Sequence, residues 1–483
     1  MKKSASFLAP LPLYQELSPM PDPWDVARKL SHLPHLLMLD SADSTLPHGR
    51  YSYIMAEPYE WECVEEERFG EGTTFENLTR HIPAPLRPTV PGLPPFQGGL
   101  AFVLGYDLNI ETEPSVATPK HDEFSGPRYC LGMYDWVIGF DHQWNRAWVV
   151  VHGRPEIEKS YKRWLAVDKM TEILNAIYDN SVMQPPWKPN RPRGPLAANR
   201  LAPQFPLPGS TKVTSNFSRE DYLKAVGRAV EYVHAGDVFQ VNLAQRLMAP
   251  YKGNSLELYG RLRSRNPAPF ACYFDLGQSQ ILSASPERFL QASPDGNVST
   301  KPIKGTRRRG ATPEEEAELL RDLTTNPKDR AENIMIVDLL RNDLGRVCDF
   351  GSVQVTKLCE VETYPFVHHL VSEVLGKLKA GQTPFDLLQA AFPGGSVTGA
   401  PKVRAMQIIA ELEPTARGAY CGTVGYLGFN GVFDSNILIR TFTAQQGWVQ
   451  FPVGGGIVAD SDPATEYDET LHKAAGLLRA LEL

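Results

Sequence analysis

Glu332 is the hardest residue in the chain to explain as packing. Asn326-Pro327 is a helix-start signal, and the spacing predicts a helix from Pro327 through Leu340, ended by Gly345. On that helix Met335, Ile336, Leu339 and Leu340 stand at i+3, i+4, i+7 and i+8 from Glu332. A carboxylate on an apolar stripe is costly to bury alone, so it calls for a metal ion, a cationic partner from another element, or a proton. A second group lies upstream in STKPIKGTRRRG, where Lys304 precedes a Gly-Thr turn among Lys301, Arg307, Arg308 and Arg309. The run reads either as a solvated basic loop or as the setting of an active-site amine, because neighbouring positive charge and desolvation both favour a neutral, nucleophilic lysine. Two glycine-rich strings, PGGSVTGAPK and PVGGGIVADSD, would let backbone N–H groups approach an anion. Neither matches a nucleotide-binding loop, and glycines in strands more often mark bulges.

The elements that must position these groups divide at a proline-rich stretch. Residues 181–210 carry eight prolines and few large apolar residues, so 181–215 reads as a linker or surface excursion between an N-terminal part, 1–180, and a C-terminal part, 216–478. In the first part LGMYDWVIGFD and RAWVVVHG read as successive strands, followed by a helix over YKRWLAVDKMTEILNAIYD. Nothing there suggests catalysis by itself, which makes that part structural or regulatory. In the second part Ser218 and Asp221 start a helix that Gly236 can stop. VFQVNLAQRL reads as a strand with Phe239, Val241 and Leu243 on one face and Gln240 and Asn242 on the other. TVGYLGFNGVFDSNILIRTF reads as a hairpin with a type I′ turn at Asn430-Gly431, and YDETLHKAAGLLRAL as a last helix.

With 483 residues, 42% of them hydrophobic, the chain has material for one very large domain or two smaller ones and is not disordered. A net charge of −7 argues against nucleic acid or anionic membrane as general partners, and no apolar run is long enough to span a bilayer. Pro10 and Pro12 break the apolar start, so no secretory signal is read there. Six cysteines scattered without a CxxC pair make a disulfide framework or thiolate metal site improbable and fit a reducing cytoplasm.

Six strings occur in one order: SPERF (285–289), PIKGT (302–306), RAENIMIVDLLRNDLGR (330–346), HHLVS (368–372), FPGGSVTGAPKVRAM (392–406) and GGGIVADSDP…EYDET (454–470). Together they resemble the chorismate-utilising enzymes, a family that includes anthranilate, isochorismate and aminodeoxychorismate synthases, over nearly all of 216–478. The resemblance implies an α+β fold of the anthranilate synthase component I type, with large antiparallel sheets packed as a sandwich and helices outside. It also implies a Mg²⁺-dependent reaction on chorismate. Glu332 and Glu469 match the metal ligands, with Glu466 as an auxiliary, although periodicity alone places Glu469 on the surface. Glu287 matches the general acid that protonates the departing C4 hydroxyl, and His369, next to His368, the active-site histidine. Gly305, Thr306, Ser396, Thr398, Gly399, Tyr420, Arg440, Gly454 and Gly456 fall on substrate-binding positions, with Arg440 facing the enolpyruvyl carboxylate.

Two residues select a branch. Isochorismate and salicylate synthases carry a lysine base where this chain has Gln240, and anthranilate synthases an alanine where it has Lys304. A lysine there resembles the aminodeoxychorismate synthases of the p-aminobenzoate and folate route, and implies a covalent Lys304 intermediate; anthranilate synthase component I is the alternative. None of the six cysteines lies in a glutaminase-type elbow, so a separate glutamine amidotransferase subunit is expected to supply ammonia. LLMLDSADS and NPAPF resemble an amino-acid pocket of the family, placing Ser41, Pro267 and Phe270 around a structural or vestigial ligand, or around none.

Overall fold

The computed structural model describes residues 12–43, 49–65, 73–82, 89–179, 184–210, 212–363 and 367–481; the first eleven residues of the chain, on which the reading of its start depends, lie outside these. The fold is α+β: eleven α-helices flank two antiparallel sheets of thirteen and ten strands among the described residues. The larger sheet runs from Leu13–Leu17 through Arg146–Val151, Trp136–Asp141, Tyr51–Met55 and Leu37–Asp40 into Phe270–Asp275, Ser279–Ser285, Thr441–Gln445, Trp448–Ile457 and Gln240–Pro250. The smaller runs from Ile303–Arg308 through Val367–Lys377, Asn297–Thr300, Arg288–Ala292, Phe433–Asn436 and Thr423–Gly428 to Gly99–Leu104, Tyr129–Tyr134 and Glu60–Val64. Both are therefore shared across residues 181–215: Asp40 stands opposite Ala271 in one, and Val103 opposite Val424 in the other.

The sheets pack face to face. Leu37, Met55, Phe274 and Ile281 of the larger meet Val103, Tyr134, Val424 and Tyr426 of the smaller in one apolar layer. Their outer faces are covered by helices, among them Lys159–Tyr178 and Pro463–Leu481 on the larger sheet and Pro327–Val347 on the smaller. The excursion is pinned to this body. Trp187 N–H donates to Ser31 O, Leu196 N–H to Gln446 O, and the Trp448 indole to Leu196 O at 2.9 Å.

Several local expectations change. LGMYDWVIGFD is two strands in different sheets, Tyr129–Tyr134 and Trp136–Asp141, joined at Asp135, whose carboxylate accepts from Gly153 and Arg154 N–H at 3.0 and 2.6 Å. Gly345 does not end its helix, which continues to Val347: burying Leu344 and Val347 outweighs a glycine penalty of about 1 kcal/mol. The hairpin after Thr423 forms without a type I′ turn. Gly431 has φ +86° but Asn430 is not in the left-handed region; its side chain instead bonds Pro95 O and Val432 N–H, and a longer loop closes through Gly428 and Val432. The alternation at 239–240 is reversed, with Phe239 exposed and Gln240 fully buried, because pairing starts at Gln240, opposite Ala400, and is joined on the other edge from Val241. Cys63 and Cys130 form a disulfide, contrary to the reading of scattered thiols; they are 67 residues apart but directly opposed on adjacent strands.

Candidate active site

Two places where the chain crosses from one sheet to the other lie side by side. Ser279–Ser285 belongs to the larger sheet and Arg288–Ala292 to the smaller, so Glu287 sits on a crossing. Phe433–Asn436 and Thr441–Gln445 make the same change in the opposite direction, and Arg440 sits on theirs with φ +54°. The crossings are stitched together: Ile437 N–H donates to Glu287 O, the Ser285 hydroxyl to Ile437 O at 2.6 Å, and Ala284 N–H to Arg440 O. Chemistry-bearing side chains thus stand on backbone that two sheets hold in place.

Beside these crossings opens a cavity of about 530 Å³. Glu287, Lys304, Gly305, Thr306, Glu332, His369, Ser396, Tyr420, Arg440, Gly454, Gly456 and Glu469 all line it. Lys304 reaches it from an edge strand whose register shifts between Ile303 and Thr306, with Gly305 at φ +80°, a bulge that re-aims the lysine. Thr306 pairs with His369 across that ladder, and its hydroxyl lies 2.8 Å from His369 Nδ1. This separates the two histidines: His368 is fully buried away from the cavity, 2.9 Å from the Thr363 hydroxyl. Gly454 and Gly456 are required by the close approach of Gln240–Pro250. A Cβ at 456 would lie 2.2 Å from Gln240 Nε2, and one at 454 would lie 2.6 Å from Leu243 O.

Thr398 and Gly399 do not line the cavity but stand behind its wall. The Thr398 hydroxyl turns back to Gly394 O at 3.0 Å, and Gly399, at φ +140°, pairs with Val241 where a Cβ would fall 2.1 Å from Gln240 O. A separate cavity of about 90 Å³ is lined by Ser41, Phe270 and the Arg288–Asp434 ion pair, whereas Pro267 lies on the surface and Pro269 lines the cavity instead. The Ser41 hydroxyl donates to Tyr51 O at 2.6 Å.

Burial shapes the protonation of the site. It pushes the Glu287 carboxyl up, against the pull of Lys304 and the Ser396 hydroxyl, which favours its protonated form. It holds His369 down to about 4, hence a neutral imidazole. Glu332 is also raised by burial, opposed by Lys304 and Lys328. Burial raises Glu469 too, but Lys473, Lys328 and Lys304 together outweigh it and the net shift is downward.

Cavity residues that sequence reasoning did not nominate include Asn242, Lys328, Arg417 and Lys473. Each of the last three stands four residues from an acid on one helix or its end (Glu332, Glu413 and Glu469), a spacing that pairs charges and was available as a signal. Arg417 is nearly fully buried and forks onto Glu413 at 2.9 and 2.6 Å, while donating to Val397 O and Asn242 O at 3.0 Å. Lys473 donates to Gly454 O at 2.9 Å and pairs with Glu469 at 2.6 Å.

Among the described residues no group of three or more His, Cys, Asp or Glu side chains forms a ready metal cage. The donor set nevertheless suits a hard cation. Glu332, Glu466 and Glu469 are oxygen donors, Glu466 is buried, and its Oε2 has no hydrogen-bond partner among the described residues. A Cβ placed on Gly455 would lie 3.3 Å from that oxygen and 3.4 Å from Glu469 Oε1, so the two carboxylates converge over a glycine.

The comparisons with known proteins agree with this geometry. The family model described as chorismate binding enzyme matches residues 37–479, so it includes most of the N-terminal part. Aminodeoxychorismate synthase component 1 of Escherichia coli is 39% identical over 94% of this chain and 95% of its own length. Anthranilate synthase component 1 of Pseudomonas aeruginosa is 37% identical over 97% and 95%. The crystal structure of anthranilate synthase component I from Streptococcus pneumoniae superimposes with a TM-score of 0.73 at 30% identity, covering 89% of this chain and 92% of that one. Motifs, sandwich and relatives converge: the chain belongs to the chorismate-binding enzyme family and uses chorismate.

Proposed function

We propose that the chain is the large subunit of an aminodeoxychorismate synthase, converting chorismate and ammonia to 4-amino-4-deoxychorismate and water. The observation that carries this reading is Lys304, an amine delivered by a bulge into the same cavity as the buried acid Glu287. The Lys304 amine adds to C2 of chorismate, the ring double bonds shift, and the C4–O bond breaks as Glu287 gives its proton, releasing water. Ammonia then adds at C4, the double bonds shift back, and the C2–N bond to Lys304 breaks. Arg440 and Lys473 provide cationic partners for the two substrate carboxylates. Glu332 and Glu469, with Glu466 behind them, would hold Mg²⁺, which supplies charge neutralisation at the ring carboxylate. The Gln240 amide cannot deprotonate water, which speaks against isochorismate formation.

The second reading is an anthranilate synthase large subunit, favoured by the comparable identity of that relative; Lys304 in the cavity speaks against it. A glutamine amidotransferase subunit supplies the ammonia in either reading: among the described residues the four thiols outside the disulfide are buried and none has a glutaminase-type context. No described helix is long and apolar enough to cross a membrane. The covalent step is tested by rapid quench of the enzyme with chorismate and Mg²⁺, followed by intact-mass measurement. An adduct of chorismate less water is expected on the wild type and absent from Lys304→Ala; an adduct of equal yield on both would overturn the role of Lys304.

A further inference from the structure

Every carboxylate at the proposed metal position already has a lysine. Lys304 Nζ stands 3.7 Å from Glu332 Oε2, Lys328 Nζ 3.3 Å from Glu466 Oε1, and Lys473 Nζ 2.6 Å from Glu469 Oε1. Two of the three lysines have other work: Lys304 faces Glu287 in the substrate cavity, and Lys473 is anchored on Gly454 O. Lys328 differs. It lies in the first turn of Pro327–Val347, about half exposed, and pairs with the buried Glu466. Glu466 Oε1 also accepts from the Ser461 hydroxyl at 2.6 Å, while Oε2 has no hydrogen-bond partner among the described residues and faces Glu469 across Gly455.

We propose that Lys328 is an internal counter-cation that occupies the electrostatic place of the divalent ion and must leave Glu466 when that ion binds. Glu332 and Glu469 line one cavity and Glu466 converges on Glu469 over Gly455, so without neighbouring cations these carboxylates would repel one another; a half-exposed lysine on a flexible four-carbon stem is the group best able to neutralise Glu466 and withdraw. Its withdrawal frees Glu466 to complete the oxygen shell or to orient Glu469 within it. The site therefore binds the ion more weakly than its acidic residues alone would allow. This inference rests on the reading of Glu332 and Glu469 as Mg²⁺ ligands.

The test is titration calorimetry of Mg²⁺ into the intact protein without chorismate, paired with the Mg²⁺-induced shift in thermal midpoint. Breaking a half-exposed ion pair is worth about three- to fivefold in an equilibrium constant. Lys328→Met is expected to bind Mg²⁺ tighter by that factor and to show the larger thermal shift. Lys301→Met removes a nearby lysine whose partner is Glu373 at 3.0 Å, outside the cavity, and is expected to stay within about twofold of wild type. A Lys328→Met affinity within about twofold of wild type would overturn the inference, as would an equal gain in Lys301→Met, which would mark a general field effect. A Glu469→Gln variant that bound Mg²⁺ as tightly as wild type would instead overturn the metal assignment, as would absence of binding by both wild type and Lys328→Met.

Discussion

Replacing Glu287 by Gln removes a proton donor while leaving its crossing intact, because the residue is held through its backbone: its N–H donates to the Ser285 hydroxyl at 3.2 Å and its carbonyl accepts from Ile437 N–H. A positioned general acid is worth about 10²–10⁴ in rate, and kcat is expected to fall by that factor. Stability is expected to move the other way. Burial raises the carboxyl pKa in the folded chain, so its favourable contribution is fully present below the ordinary carboxylate pKa and is lost as pH rises through the folded value. The glutamine has no such contribution to lose. The midpoint of Glu287→Gln should therefore match wild type in acid and exceed it increasingly toward neutral and alkaline pH. The assay is a paired series across pH: ammonium-dependent turnover of chorismate, where wild type loses rate on the alkaline side and the variant shows no such limb, and scanning calorimetry. A variant within tenfold of wild-type kcat that kept the alkaline limb would refute the assignment of the acid.

Other outcomes follow from the same contacts. Arg417→Met leaves Glu413 buried and unpaired and unties Val397 from Asn242, so a loss of about 3–5 kcal/mol is expected in denaturant unfolding. Gly456→Ala pushes a methyl against the Gln240 amide and should cost about 1–3 kcal/mol; in a Gln240→Ala background most of that loss should disappear, and equal losses in both backgrounds would show the clash to lie elsewhere. His369, held down to about 4, should show no ring-proton titration by NMR between about pH 5.5 and 8, whereas a midpoint near 6.5 would contradict its burial.

Most of the site is visible in the sequence because its residues sit in long contiguous strings, and the strings carry their own geometry. SPERF is a sheet crossing, PIKGT a bulge, and GGG the strand that must pass close to Gln240. Glu332 is flagged by physics alone as a carboxylate on an apolar stripe, and the bland alternative of a cationic partner is also true, since Lys304 stands beside it. Glu469 shows the limit of periodicity: it does lie on the polar face of its helix, but that face looks into a cavity rather than bulk solvent. Lys328 and Lys473 read as ordinary i,i+4 partners of Glu332 and Glu469; in the fold Lys473 keeps its acid, while Lys328 pairs with Glu466 of the last helix. What no local pattern carries is the sharing of both sheets across the proline-rich stretch, the switch of sheets at Asp135, and the pairing of Cys63 with Cys130, because each is decided by strands distant in sequence. Thr398 and Gly399, which the resemblance implies at the substrate, stand one layer behind it. Their loop does form the cavity wall, yet Ser396 and Val397 face inward while the next two residues tie that loop to Gln240–Pro250.

The branch assignment rests on one lysine, and product identity tests it most directly. The purified chain, given chorismate, Mg²⁺ and ammonium in place of the amidotransferase subunit, is expected to form 4-amino-4-deoxychorismate with the enolpyruvyl group retained. Formation of anthranilate with release of pyruvate would contradict it.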